Sequence, residues 1–262
     1  MKLNFGTLHT YLNASLENRN DHVSEPPQLM HLVNHMDQLI QEELFVDGID
    51  IDGVPALLSM NAYMLLASAV QQTLTGHAVA VFPLARTALE SACYAFLVAG
   101  DKKMSDIWLN RDNSKTARGK CRDNFTVSNA VRKLKSLSPD MADYVNACYE
   151  VVIDYGAHPN IKSITSHFKI EDMVDETYIA FTLDAIYGKN SWQVNSLLLL
   201  CTEVSQAIVF LIAASANNHP LIHERLTTFQ DWMDEKNRVV ENILGYPLDY
   251  TGPMYSSIRP PR

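Results

Sequence analysis

The stretch AVAVFPLARTALESACYAFLVA, residues 78–99, is apolar except for two charges, Arg86 and Glu90. A run this apolar belongs to a buried element, read as a helix over about 77–100. Arg86 and Glu90 stand four apart, so on a helix they lie one turn apart on the same face. An ionised group placed there must be paired or must serve a purpose. Pro83 is expected to kink this helix or to mark its first fully bonded turn.

The rest of the chain supports a helical class. Apolar residues make up 47% of the 262 and charged residues 19%, which excludes a disordered chain. Only 10 residues are glycine, too few for a strand-dense sandwich. A weakly amphipathic helix is expected over 3–17, then a polar break, ENRNDHVSEPP. From Gln28 the residues Leu29, Leu32, Val33, Met36, Leu39, Ile40 and Leu44 recur at helical spacing. Asp52 reads as an N-cap ahead of Pro55, opening a helix to about 75. Asp101 caps a short helix through 109. The stretch RDNSKTARGKCRDN is the longest polar run and reads as a loop. Helices follow over 127–136 and, from the Ser138-Pro139 cap, over 139–155. Ser191 caps a long apolar helix to 216, and 221–244 forms the last one.

Between them, Ile179, Phe181 and Leu183 alternate against Tyr178, Ala180 and Thr182, a period of two. The fold expected is therefore an all-α, single-domain multi-helix bundle over 1–244, with room for a small β-hairpin near 163–184. Residues 1–27 form an N-terminal extension with a short helix, and 245–262 an extended or disordered tail.

Net charge is −9, and only 111–122 is basic, through Arg111, Lys115, Arg118, Lys120 and Arg122. Duplex nucleic acid is a poor partner for such a chain, whereas local anion binding at this segment is retained. Cys93, Cys121, Cys148 and Cys201 are scattered and call for no oxidising compartment. The opening MKLNFGTLHTYLNAS lacks a continuous apolar core, so no secretory signal is expected. Segments 78–99 and 194–216 tempt a membrane reading. However, Arg86, Glu90 and Glu203 fall within them, at about 2.5 to 3.5 kcal/mol per mid-span charge. Both are read as core helices of a cytoplasmic protein with no membrane partner.

Three constellations are candidate sites. Arg86 offers fixed donors to an anion while Glu90 holds the guanidinium; the structural alternative is a buried pair that fixes helix register. In DYGAHPN, Gly156 ends a helix and Pro159 forbids its continuation, so Tyr155, His158 and Asn160 sit at a restrained terminus. The alternative for His158 is a plain C-terminal histidine favoured by the helix dipole. Glu203, with Asn195 and Gln206, is the polar position of an otherwise apolar helix and is expected to extend the pair as Glu90–Arg86–Glu203. The His31/His35 pair falls on a polar stripe and His219/His223 spans a proline, so no metal site is expected. Phosphate-loop, dinucleotide and nucleophile-elbow motifs do not occur, and no cofactor is expected.

The R-T-A-L-E helix (Arg86, Glu90) with the later Y-G-A-H-P-N (155–160) resembles a group of uncharacterised bacterial all-helical proteins. That group is loosely similar to HEPN-like bundles, which often cleave RNA in toxin–antitoxin and phage-defence systems. The resemblance covers about 55–220. It departs from the HEPN nuclease signature R-x-x-x-x-H, because Arg86 and His158 lie on different segments. The leading expectation is a ligand- or partner-binding helical protein whose polar centre combines Arg86, Glu90 and His158 and takes an anionic small molecule or nucleotide. The resemblance implies, as the runner-up, a metal-independent ribonuclease in which Arg86 stabilises phosphate charge and His158 moves a proton. A third reading is a non-enzymatic interaction module whose 111–122 segment docks an acidic partner. A homodimer is also left open.

Overall fold

The computed structural model describes residues 7–157, 161–165, 167–175, 178–183, 185–189 and 191–245. The architecture is built around α10 (Trp192–Ala213), in which every residue from Ser196 to Val209 is buried. A helix that is apolar all round has no solvent face to offer and must sit inside. Its hydroxyls avoid unpaired burial by bonding back along the helix: Thr202 donates to the Leu198 carbonyl at 2.9 Å and Ser205 to that of Thr202 at 2.6 Å.

Along the chain it is preceded by α1 (Leu8–Ser24), α2 (Met30–Leu39), α3 (Gly53–Leu74) and α4 (Ala78–Val98), and then α5 (Lys102–Leu109) and α6 (Lys115–Asn124). The succession continues with α7 (Val127–Leu134), α8 (Pro139–Val152) and the short α9 (Ile161–Thr165). The chain is thus all-helical in class. α3 and α4 form the most extensive pair, and α10 lies against both as well as against α2 and α8. Single π-type turns extend α2 over Ile40–Leu44 and α8 over Ile153–Ala157. Ahead of α10 the backbone of β1 (Phe168–Asp175) runs antiparallel to β2 (Tyr178–Leu183), with Phe168 opposite Leu183 and Ile170 opposite Phe181. After α10 come α11 (Pro220–His223) and α12 (Leu226–Leu244).

Several boundaries follow from caps that the sequence displays. Asp101 accepts from the Met104 amide at 3.0 Å, Ser138 from Met141 at 3.4 Å and Ser191 from Val194 at 3.2 Å. Asp52 occupies the N-cap position of α3, although its side chain makes no capping hydrogen bond. Pro83 lies inside α4, in the second turn. Lys133 of α7 closes the other end of α4 by donating to the Phe96 carbonyl at 2.6 Å.

Three expectations are corrected. The polar run after residue 17 is no break, for α1 continues to Ser24. Nothing between 17 and 24 forbids a helix, and the turn after α3 holds it: Asn18 donates to the Tyr187 carbonyl at 2.8 Å and buried His22 to that of Leu74 at 2.6 Å. Gly76 makes this docking feasible. Its φ is +85°, and a Cβ there would collide with the Tyr187 carbonyl and the Asn18 amide. Secondly, most of the polar run 111–124 is helix α6 rather than loop. Ser114 caps it by accepting from Ala117 at 3.0 Å, and buried Cys121 anchors it. Finally, the expected helix over 221–244 is two, separated at Glu224–Arg225.

Candidate functional site

Phe82, Arg86, Glu90 and Tyr94 follow one another at intervals of four, so they trace a stripe winding slowly around α4. Each end of the stripe opens into a hollow. Between the ends lies the charged pair anticipated from the sequence.

Arg86 Nε donates to Glu90 Oε1 at 2.9 Å, and Arg86 Nη2 to the Tyr149 hydroxyl at 3.3 Å. That hydroxyl donates in turn to Glu90 Oε1 at 3.1 Å. The three side chains therefore close a ring, in which Arg86 also lies 5.6 Å from the centre of the Tyr149 ring. Burial acts against the charge of Arg86. The Glu90 hydrogen bond and charge outweigh it and hold the guanidinium above its ordinary range. Burial, reinforced by the Glu90 charge, likewise raises the Tyr149 phenol. The pair is not fully enclosed, however: 25% of the Arg86 side chain and 22% of Glu90 remain exposed. The apolar run that carries them is largely buried, although Val79, Pro83 and Thr87 are exposed on it, and α8 and the turn after it pack against α4.

At the N-terminal end, Phe82 stacks on Tyr155 with ring centres 6.4 Å apart. The backbone passes close here, because a Cβ on Gly156 would strike the Phe82 ring. Both aromatics line a small pocket of about 110 Å³ together with His167 and Tyr187, whose Nδ1 and hydroxyl are 2.7 Å apart. His158 and Asn160 lie outside the described residues.

The C-terminal end opens into a cleft of about 820 Å³ between α4, α5 and α6. Tyr94, Trp108 and Phe125 form its apolar wall, with Tyr94 edge-on to Phe125 at 5.3 Å. Arg111, Lys115, Arg118 and Arg122 line it as cations. Asp112 is the single carboxylate among the lining residues, and it pairs with Arg118 at 3.2 Å and with Arg111 at 3.7 Å. Lys115 makes no ion pair among the described residues. Ser114 and Lys115 also place the N-terminus of α6 at the cleft, where amides without intrahelical partners favour negative charge. Tyr94 connects the cleft to the charged ring: burial, and then the Glu90 charge, push its phenol up to about 12.

Glu203 stands elsewhere. It is fully buried in α10, and its charge bears on Lys236, Cys148 and Tyr144, whereas Glu90 and Tyr149 act on Arg86. Lys236 itself is 2% exposed and donates to Gln206 Oε1 at 2.8 Å. The four cysteines are buried free thiols, and burial raises Cys93 and Cys148 far from the reactive thiolate range.

Sequence reasoning missed Tyr149, Trp108 and Lys236. Lys236 had a signal: it occupies the inner stripe Phe229, Trp232, Lys236, Val240 of α12, all buried. Tyr149 had none, since its partner lies 59 residues away. No family model matches this chain, and neither curated proteins nor solved structures yield a significant match.

Proposed function

We propose that this protein binds an anionic small molecule of the nucleotide class in the cleft between α4, α5 and α6. The observation that carries this reading is the convergence of four cations, one helix N-terminus and three aromatic rings on a single open cleft. Lys115, Arg118 and the first amides of α6 suit a phosphate. Trp108 and Tyr94 suit a flat base, whose stacking is worth about 1 to 3 kcal/mol. Arg86 and Glu90 support the site from behind Tyr94, with two of the guanidinium's donors already engaged by Glu90 and Tyr149. That engagement favours binding over the ribonuclease alternative, in which Arg86 would face phosphate and His158 would move a proton.

Isothermal titration with adenosine monophosphate, adenosine and inorganic phosphate tests the proposal. The mononucleotide should bind more tightly than either fragment, and Lys115→Glu with Arg118→Glu should weaken it at least tenfold. Equal, salt-abolished binding of phosphate and nucleotide would reduce the cleft to a nonspecific basic patch, against the proposal. Cleavage of single-stranded RNA, lost in Arg86→Ala, would favour the ribonuclease reading instead.

A further inference from the structure

Three helices are long and apolar enough to cross a membrane by length and composition, namely α3, α4 and α10. Most of α4 and nearly all of α10 are buried, but only a third of the most apolar window of α3 is. α3 contains no charged residue in its 22 positions. Its outer face is Leu57, Met60, Asn61, Met64, Ala67 and Gln71, and Leu57, Met60 and Met64 are 65%, 58% and 59% exposed. A solvated helix face ordinarily carries charge, and an apolar face of this length marks an interaction surface.

We propose that a second copy of this chain covers it, α3 packing against α3 in an antiparallel, two-fold pair centred near Met64. Charge selects this occupant. No lysine or arginine occurs between Arg19 and Arg86, whereas Asp47, Asp50 and Asp52 crowd the N-terminal end of α3. A helix seated on a bilayer surface draws on flanking cations, and acidic flanks are repelled by anionic headgroups. Two copies of a chain with net charge −9 repel each other over most of their surfaces, and this uncharged face is where they can meet. The antiparallel arrangement places each acidic end over the neutral Gln71–Gln72 end of its partner. The two acidic clusters then stand about 33 Å apart, the length of a 22-residue helix, far beyond the screening length near 8 Å. It also opposes the helix dipoles favourably.

Because all four native cysteines are buried, introduced thiols report the geometry cleanly. Analytical ultracentrifugation of the full chain should show a dimer at micromolar concentration, and Met60→Glu/Met64→Glu should make it monomeric with an unchanged circular dichroism spectrum. Under mild oxidation Met64→Cys should cross-link to itself. Leu57→Cys should not, yet it should cross-link in a mixture with Gln71→Cys, since 57 and 71 are equidistant from 64. A wild-type monomer at high micromolar concentration overturns the proposal, and so does flotation of a monomeric chain with phosphatidylcholine/phosphatidylserine vesicles. Self-linking of Leu57→Cys as readily as Met64→Cys overturns the antiparallel arrangement.

Discussion

Arg86 with Glu90, at the seam of α4 and α8, and Lys236 with Gln206, beneath α12, are hydrogen-bonded cations at 2.9 and 2.8 Å, yet water reaches only the first. Around Lys236 the interior is closed to bulk solvent: Glu203 is fully buried, and the Tyr144 ring lies 5.7 Å from the ammonium. Burial lowers the Lys236 pKa, opposed by the charge of Glu203. A group in such surroundings fixes one packing of α12 on α10 and has little freedom to do anything else. At the seam, Arg86 keeps a quarter of its side chain in water and its ring of contacts borders a cleft. Equal bond lengths thus conceal different surroundings: the deep cation is sealed into the core, and the shallow one stays in contact with solvent.

The largest effect that separates them is predicted at Lys236. Lys236→Ala should destabilise the fold by about 3 to 5 kcal/mol in urea denaturation, because it removes the cation beside the Glu203 carboxyl in a closed interior. A loss below about 1 kcal/mol would show that water reaches the cluster.

His219 tests the closed interior from another side. It is 1% exposed, donates from Nε2 to the Leu44 carbonyl at 3.0 Å and accepts from the Leu221 amide on Nδ1 at 3.1 Å. That pattern admits only the neutral ring, and burial lowers its pKa, assisted by Arg225 and His223. Below the ordinary value of 6.5 the unfolded chain takes up a proton that the native state refuses, so stability present above pH 6.5 is lost as pH falls. The difference in unfolding free energy between wild type and His219→Gln should therefore shrink between pH 7 and pH 5. A constant difference would contradict a buried neutral imidazole.

The smallest effect belongs to the seam. Arg86→Ala should cost about 1 kcal/mol, with a coupling to Glu90 of about 0.5 kcal/mol in a double-mutant cycle, because solvent shares both charges. The coupling should weaken in 1 M salt. A coupling as large as the Lys236 effect would erase the distinction between the two regions.

How far these regions could be read beforehand follows from where their signals lie. Asp101, Ser138 and Ser191 announce their helices because a cap is local chemistry. The apolar periodicity around Leu29 and Leu32 fixes α2 in the same way. α6 reads as a loop in the sequence because its residues are polar on nearly every face. Its evidence is the Ser114 cap and one buried Cys121, both easily lost among charges. Arg86 and Glu90 were legible as a pair from spacing alone, but their exposure depends on which helices cover that face. Trp108 and Phe125 carry no mark of a shared cleft, for only the tertiary fold brings α5 and the end of α6 around Tyr94.

The most direct test of the central claim, a nucleotide in that cleft, is the intrinsic fluorescence of Trp108. Adenosine monophosphate should quench the wild-type signal saturably, and Trp108→Phe, which keeps Trp192 and Trp232, should lose that response while its melting temperature is unchanged. A quench that persists undiminished in Trp108→Phe, or no saturable change in the wild type at millimolar nucleotide, would contradict the account.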